Sequence, residues 1–220
     1  MRKSTLSSVF LTFLFLLSTN AIAWDSSRLT FKTGATFIQP NDSSNELEGI
    51  AGSKVGAGSA STLGLIFNYQ LSSTWAVEAL GIIKSHHELN GKGSLSSIDE
   101  IANISVLPPT LTLQYHLPLK SQIKPYVGIG ANYTRFSNLD ASGELERALG
   151  GETDIDIKDS WGLAAQIGVA VPIDDQWSFN SSLWYIDMDA DAQLRTAGVK
   201  RDIDIKINPW VWFFGVGRSF

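Results

Sequence analysis

Few residues in this chain are spaced to do chemistry on a substrate. His86-His87-Glu88 offers metal-ligating types side by side. Neighbouring strand residues point to opposite faces, so one tight site using both imidazoles is awkward, and no metal is expected. Gly128-x-Gly130 resembles half of a dinucleotide fingerprint, but no helix-forming stretch follows to receive a pyrophosphate. His86, His87 and His116 have no spacing to a nucleophile or an orienting carboxylate that would make a catalytic set, so no enzyme and no cofactor are expected. Cysteine is absent, which removes thiolate metal sites, Cys nucleophiles and disulfides. Glu144, Glu146, Glu152, Asp154, Asp156 and Asp159 form an acidic stretch whose default is a solvated loop, with lipopolysaccharide bridged by divalent cations as its functional reading.

The elements that carry these residues repeat with period two. Leu29, Phe31, Thr33, Ala35 and Phe37 alternate with Thr30, Lys32, Gly34 and Thr36. Trp161, Leu163, Ala165, Ile167 and Val169 alternate with Ser160, Gly162, Ala164, Gln166 and Gly168. Similar rows run through 63–71, 75–79, 111–117, 127–133, 177–185 and 210–220, making eight segments, each with one apolar face and one polar or small face. Connections alternate between short (72–74, 118–124, 172–176) and long (41–60, 86–107, 138–157, 189–201). That pattern predicts an all-β chain: an eight-stranded antiparallel transmembrane β-barrel with short periplasmic turns and long extracellular loops. Tyr69, Trp75, Tyr115, Trp177 and Phe220 fall at the short-turn ends, where a membrane–water boundary favours aromatic rings. A soluble barrel would have to pack all the large apolar side chains into an interior only just wide enough for side chains, which disfavours it.

Arg2 and Lys3, an apolar run over 9–17 and Ala21-Ile22-Ala23 read as a secretory signal peptide over 1–23, with an outer-membrane barrel over 24–220. Without Arg2 and Lys3, 15 basic residues face 22 acidic ones, a formal charge of −7, which disfavours nucleic acid as a partner.

With the apolar faces turned to lipid, the lumen becomes the place to look. Lys32, Asn68, Glu78, Gln114, His116, Asn132 and Gln166 point inward and are expected to obstruct it as a polar plug, with Lys32 and Glu78 paired. Leu80 and Ile82 share the parity of Glu78, and Trp184 and Ile186 that of Asn180 and Ser182, so these four are apolar side chains facing inward. Such residues can exclude water and form a dewetted constriction, an apolar gate, with Ile82 and Ile186 lining a vestibule. Pro108 and Pro209 cannot donate to a strand ladder, and the apolar parity flips between Ile207 and Trp210, implying a bulge; both prolines are candidate positions for a lateral opening in the wall. A short helix is conceivable over 141–150, where Leu145 and Leu149 lie four apart.

Five stretches, in order, resemble the outer membrane protein W family: Leu107-Pro108-Pro109-Thr110-Leu111, the run Pro125-Tyr126-Val127-Gly128-Ile129-Gly130-Ala131-Asn132-Tyr133-Thr134, Lys158-Asp159-Ser160-Trp161-Gly162, Trp184-Tyr185-Ile186-Asp187-Met188-Asp189, and Pro209-Trp210-Val211. The chain departs from the family's aromatic-Arg-Phe ending with Arg218-Ser219-Phe220, where Arg218 can snorkel at the periplasmic boundary. The resemblance implies an eight-stranded Gram-negative outer-membrane barrel that admits small hydrophobic solutes, with Leu80 and Trp184 at positions that narrow the channel. The expected function is passive uptake through an apolar gate with lateral release into the membrane. The alternative is a structural or interaction barrel whose loops bind lipopolysaccharide, host factors, phage or bacteriocin. Expected partners are outer-membrane lipid, lipopolysaccharide and small hydrophobic solutes; oligomeric state is left open.

Overall fold

The computed structural model describes residues 25–82 and 85–220, so the expected signal peptide over 1–23 lies outside the described residues. In chain order the strands are β1 (Leu29–Gln39), β2 (Ser43–Ser44), β3 (Ser53–Ala57), β4 (Ala60–Gln70), β5 (Trp75–Ile82), β6 (Ser85–Gly93), β7 (Ala102–Leu107), β8 (Thr110–His116) and β9 (Lys124–Ala141). A short helix α1 (Gly143–Leu149) follows, then β10 (Thr153–Ile157), β11 (Ser160–Pro172), β12 (Trp177–Ile186), β13 (Asp189–Thr196), β14 (Val199–Lys206) and β15 (Trp210–Ser219).

Eight of these, β1, β4, β5, β8, β9, β11, β12 and β15, pair antiparallel with their neighbours and close on themselves, so no sheet edge faces lipid. Following the register once around, Gln70 leads through Ala76, Gln114, Gly128, Gln166, Trp184, Val211 and Ile38 back to β4 at Ala60. The return lies ten residues further along β4 than the start, the stagger of a barrel with strongly tilted strands.

The outward rows are the apolar ones. Leu163 is 73% exposed and Ile129 72%, whereas the inward Ile66, Glu78 and Gln114 are fully buried. Aromatic pairs mark two girdles. Trp75 lies 5.0 Å from Tyr115 near the short turns, and Arg218 stacks on Trp177 and Phe220 at the same end. Tyr133–Trp161 (4.7 Å) and Tyr185–Trp210 (5.0 Å) form the upper girdle. At the last short turn Asp174 accepts the Gln176 and Trp177 amides, which hold its carboxyl below the usual carboxylate range.

Glycine is required where strands touch inside the barrel. A Cβ on Gly34 would sit 2.2 Å from the Phe214 carbonyl oxygen, and a Cβ on Gly64 would meet Thr36 Oγ1 and the Phe213 ring. Gly34→Val is therefore expected to part β1 from β15 and destabilise the barrel by about 1–3 kcal/mol. Guanidinium unfolding in micelles reads this, and a midpoint equal to the parent's would contradict it.

The long connections are not solvated loops. β7, β6 and β3 extend the barrel sheet upward from β9, and β10, β13, β14 and β2 form a second sheet. Between them lies an apolar core that includes Leu47, Leu89, Ile101, Leu145, Leu194 and Ile203. The expected helix is α1, N-capped by the Ser142 side chain on the Leu145 amide, with Leu145 fully buried. This folded cap was not among the expectations drawn from the residue pattern. His86-His87-Glu88 is part of β6 rather than a loop, and Asp154 and Asp156 alternate outward on β10 around Ile155.

Candidate functional site: a vestibule above a polar plug

Five inward polar residues from five barrel strands meet in one network. Lys32 Nζ donates to Glu78 Oε2 at 2.6 Å, and both side chains are buried. Asn68 Nδ2 donates to the same oxygen at 3.2 Å and to Gln114 Oε1 at 2.7 Å. Gln166 Nε2 donates to Glu78 Oε1 at 2.7 Å, and Gln166 Oε1 accepts from Gln114 Nε2 (2.9 Å) and Thr112 Oγ1 (3.1 Å). The Lys32 ammonium also lies 5.2 Å from the centroid of the Tyr126 ring. A carboxylate fed by three donors and an ammonium held by carboxylate and ring can stay charged in a dry interior.

Asn132 does not join this network. It faces the lumen higher on β9, where its amide donates to the Pro108 and Pro109 carbonyls (3.2 and 3.3 Å) and to Thr110 Oγ1 (2.9 Å), and its Oδ1 accepts from Thr134. The Pro109 carbonyl also accepts the Tyr133 amide and the Pro108 carbonyl the Thr110 hydroxyl, so Asn132 braces the wall rather than the plug. His116 touches the plug from below, 3.3 Å from Gln114 Oε1, with its ring stacked on Tyr126. Beneath the plug a polar cavity of about 230 Å³, bordered by Lys32, Asn68, Tyr126 and Asn180, opens at the short-turn end.

Above the plug lies an apolar cavity of about 30 Å³. Leu80, Ile82, Ile186, Pro108 and Pro209 all line it, together with Ile38, Met188 and Val211. Trp184 does not border this cavity. It sits one inward position below Ile186 on β12, in register with Gln166 and Val211, and is fully buried. The gate residues thus divide: Leu80 on the vestibule wall, Trp184 one layer beneath it.

Among the described residues, the pairing of the wall is interrupted on one side. β5–β8 pairing ends at Leu80–Thr110, and the continuation through β6–β7 resumes at Ser85–Val106. Pro108 and Pro109 fall in between and have no amide proton to offer. Pro209 behaves differently, and its expected role as an opening needs correction. Ile186 N donates to Pro209 O (3.2 Å), and the Ile207 and Asn208 amides both point at Met188 O (2.8 and 3.3 Å). Asn208 has φ 39°, and its side chain accepts from the Met188 amide. This is a bulge that keeps β12–β13 bonded to β14–β15, so the wall is closed there.

Phe213 is a lumen residue that sequence reasoning missed. It is fully buried on β15, in register with Thr36 and Ser182, over the space left by Gly64 and Gly215. The signal was available: with Trp212 and Phe214 assigned outward, Phe213 between them points in. Among the described residues no group of three or more His, Asp or Glu side chains is arranged to hold a metal ion.

A family model described as the OmpW family matches residues 25–220. Outer membrane protein W of Salmonella typhimurium is 33% identical over 222 residues, all of both chains. The dibenzothiophene metabolism operon protein PahQ of Pseudomonas aeruginosa is 27% identical over 89% of this chain and 90% of its own. The crystal structure of the outer membrane protein OprG from Pseudomonas aeruginosa superposes with a TM-score of 0.80 at 32% identity, covering 87% of this chain and 95% of that one.

Proposed function

The chain belongs to the OmpW family of outer-membrane β-barrels, and from that premise we propose that it is a passive channel for small hydrophobic molecules that leave sideways into the membrane. One observation carries the reading: an apolar vestibule ends on a sealed polar plug and borders the interrupted β5–β8 wall. A solute that follows the vestibule downward meets the Lys32–Glu78 network, where an apolar molecule gains nothing. One that moves sideways past Ile82 and Pro108 reaches acyl chains without crossing a hydrogen-bond ladder. The relative named for dibenzothiophene metabolism fits such a solute, a flat apolar molecule.

The vestibule as it stands holds no more than a water molecule or two. Passage therefore needs rotamer changes of the Leu, Ile and Met side chains that surround it. Leu80 and Trp184 act as the constriction in this reading, with Ile82 and Ile186 as the walls above it. Proteins of this family sit in the outer-membrane bilayer, so lipid is the immediate neighbour of the exit.

A second reading, an interaction barrel, has its own observation. Asp156, Lys158, Asp191, Asp202 and Asp204 border an exposed groove of about 270 Å³ on the outer sheet of the cap, where lipopolysaccharide could be bridged by divalent cations.

Purified protein in liposomes separates the readings. The channel reading expects uptake of an apolar fluorescent probe well above that of protein-free vesicles, with ionic conductance far below that of an open water-filled pore. Conductance without probe uptake, or neither, would sink it.

A further inference from the structure

The wall opposite the plug has hydrogen-bonding capacity that nothing in the protein uses. Two of the strands whose residues line the vestibule carry, one inward position lower, a buried polar atom without a partner. On β1, Ile38 lines the cavity and Thr36 Oγ1 lies below it. On β12, Ile186 lines the cavity, with Trp184 Nε1 below it and Ser182 Oγ, beside the Tyr126 hydroxyl, one step further down. On β15, between them, Val211 lines the cavity and Phe213 is the residue beneath, in register with both Ser182 and Thr36. Thr36 and Trp184 are fully buried and Ser182 is 4% exposed.

The plug cannot satisfy these atoms. Gln166, the register neighbour of Trp184, already uses its Oε1 for Gln114 and Thr112 and its Nε2 for Glu78. A buried donor or hydroxyl left unmet destabilises a protein, whereas an apolar isostere in its place would not. An indole N–H and two hydroxyls, one or two inward positions below residues that line the apolar cavity, make a polar layer beneath a hydrophobic chamber.

We propose that the vestibule selects amphipathic solutes: an apolar ring or chain seated among Leu80, Ile82 and Ile186, with one small uncharged hydrogen-bonding head, a hydroxyl or carbonyl, reaching down to Trp184, Ser182 and Thr36. This rests on the channel reading and names its substrate class. A charged head is disfavoured, because Lys32 and Glu78 are committed to each other and, among the described residues, no ionic side chain lines the cavity. A carbonyl accepts from the indole N–H, and a hydroxyl can also donate to either side-chain oxygen. The head then makes at this layer the hydrogen bonds it gives up on leaving water.

Naphthalene and 2-naphthol are a matched pair that differ by one hydroxyl. Their affinities for the full-length protein in lipid nanodiscs are read by displacement of an apolar fluorescent dye, each corrected for partition into protein-free nanodiscs. The naphthol is expected to bind about tenfold more tightly, the size of one well-made hydrogen bond. That ratio is expected to fall to about twofold or less in Trp184→Phe and in Thr36→Val/Ser182→Ala, which remove the donors but keep the shapes. Equal affinities in the parent protein, or a preference that survives both variants, overturn the polar layer and leave the channel reading standing. Failure of both compounds to bind overturns the two together.

Discussion

Glu78→Leu is expected to destabilise the folded barrel by about 3–5 kcal/mol, the usual result of stranding one member of a buried ion pair. The Lys32 ammonium would lose its only carboxylate among the described residues. Its side chain runs inward from β1 and is buried, and the Tyr126 ring alone is a weak substitute. Gln166 Nε2 would lose its acceptor, while Asn68 Nδ2 would keep Gln114 Oε1. Adding Lys32→Met removes the stranded charge. The double variant is expected to recover more than half of the loss, leaving the unmet Gln166 donor at about 1–3 kcal/mol. Guanidinium unfolding in micelles, followed by tryptophan fluorescence and by the electrophoretic shift between folded and unfolded barrel, gives both numbers. A double variant no more stable than Glu78→Leu alone would show that the network holds the barrel by something other than paired charge.

How far the sequence reached depends on which solvent each residue faces. In the barrel one face meets lipid, so Leu163, Ile129 and Trp161 alternate strictly with Gly162, Gly130 and Ser160, and eight strands could be counted without coordinates. Above the membrane the rule inverts. The inward row along β12 and β13 runs Asn180, Ser182, Trp184, Ile186, Met188, Ala190, Ala192, Leu194, all buried and all of one parity, but its chemistry changes from polar to apolar at Trp184. In the cap the strands bury their apolar sides against each other, as a water-soluble sandwich does. The odd-numbered Ile203, Ile205 and Ile207 belong to that core, and the parity flip that follows them is the Asn208–Pro209 bulge. The flip was legible; that it also marks the boundary between two solvents was not, because a parity pattern carries no height.

The plug shows the same limit in another form. Parity placed Lys32, Asn68, Glu78, Gln114, Asn132 and Gln166 on the lumen side, but tilt decides which of them meet. Lys32 is in register with Ile66, which is in register with Leu80, yet it bonds Glu78 two positions along β5. Asn132 is in register with Thr110 and stays at that level. Without the stagger around the barrel, inward residues are a set with no order. That Pro108 offers no amide proton to a ladder was legible from proline chemistry alone. The closed seam at Pro209 was not, since it depends on two amides converging on one Met188 carbonyl.

Leu80→Asp is expected to cut uptake of an apolar probe at least tenfold at neutral pH. Leu80 is 4% exposed and packs within the apolar core that runs from the barrel into the cap. Among the described residues a carboxylate there would find no free cation lining the vestibule, because Lys32 is held by Glu78 at 2.6 Å. It would draw water into the neck of the vestibule, and each transit would then require an apolar solute to displace bound water from a charge. A loss of about 1.4 kcal/mol at that step is tenfold in rate, less than the usual cost of crowding apolar surface against an unpaired charge. Leu80→Met keeps the volume and the apolar character, and its uptake is expected to stay within about threefold of the parent. The electrophoretic shift of the folded barrel checks that Leu80→Asp still closes. Equal uptake by Leu80→Asp and the parent would mean that solute does not pass the Leu80 side chain, and the route would have to lie wholly within the cap, above the barrel.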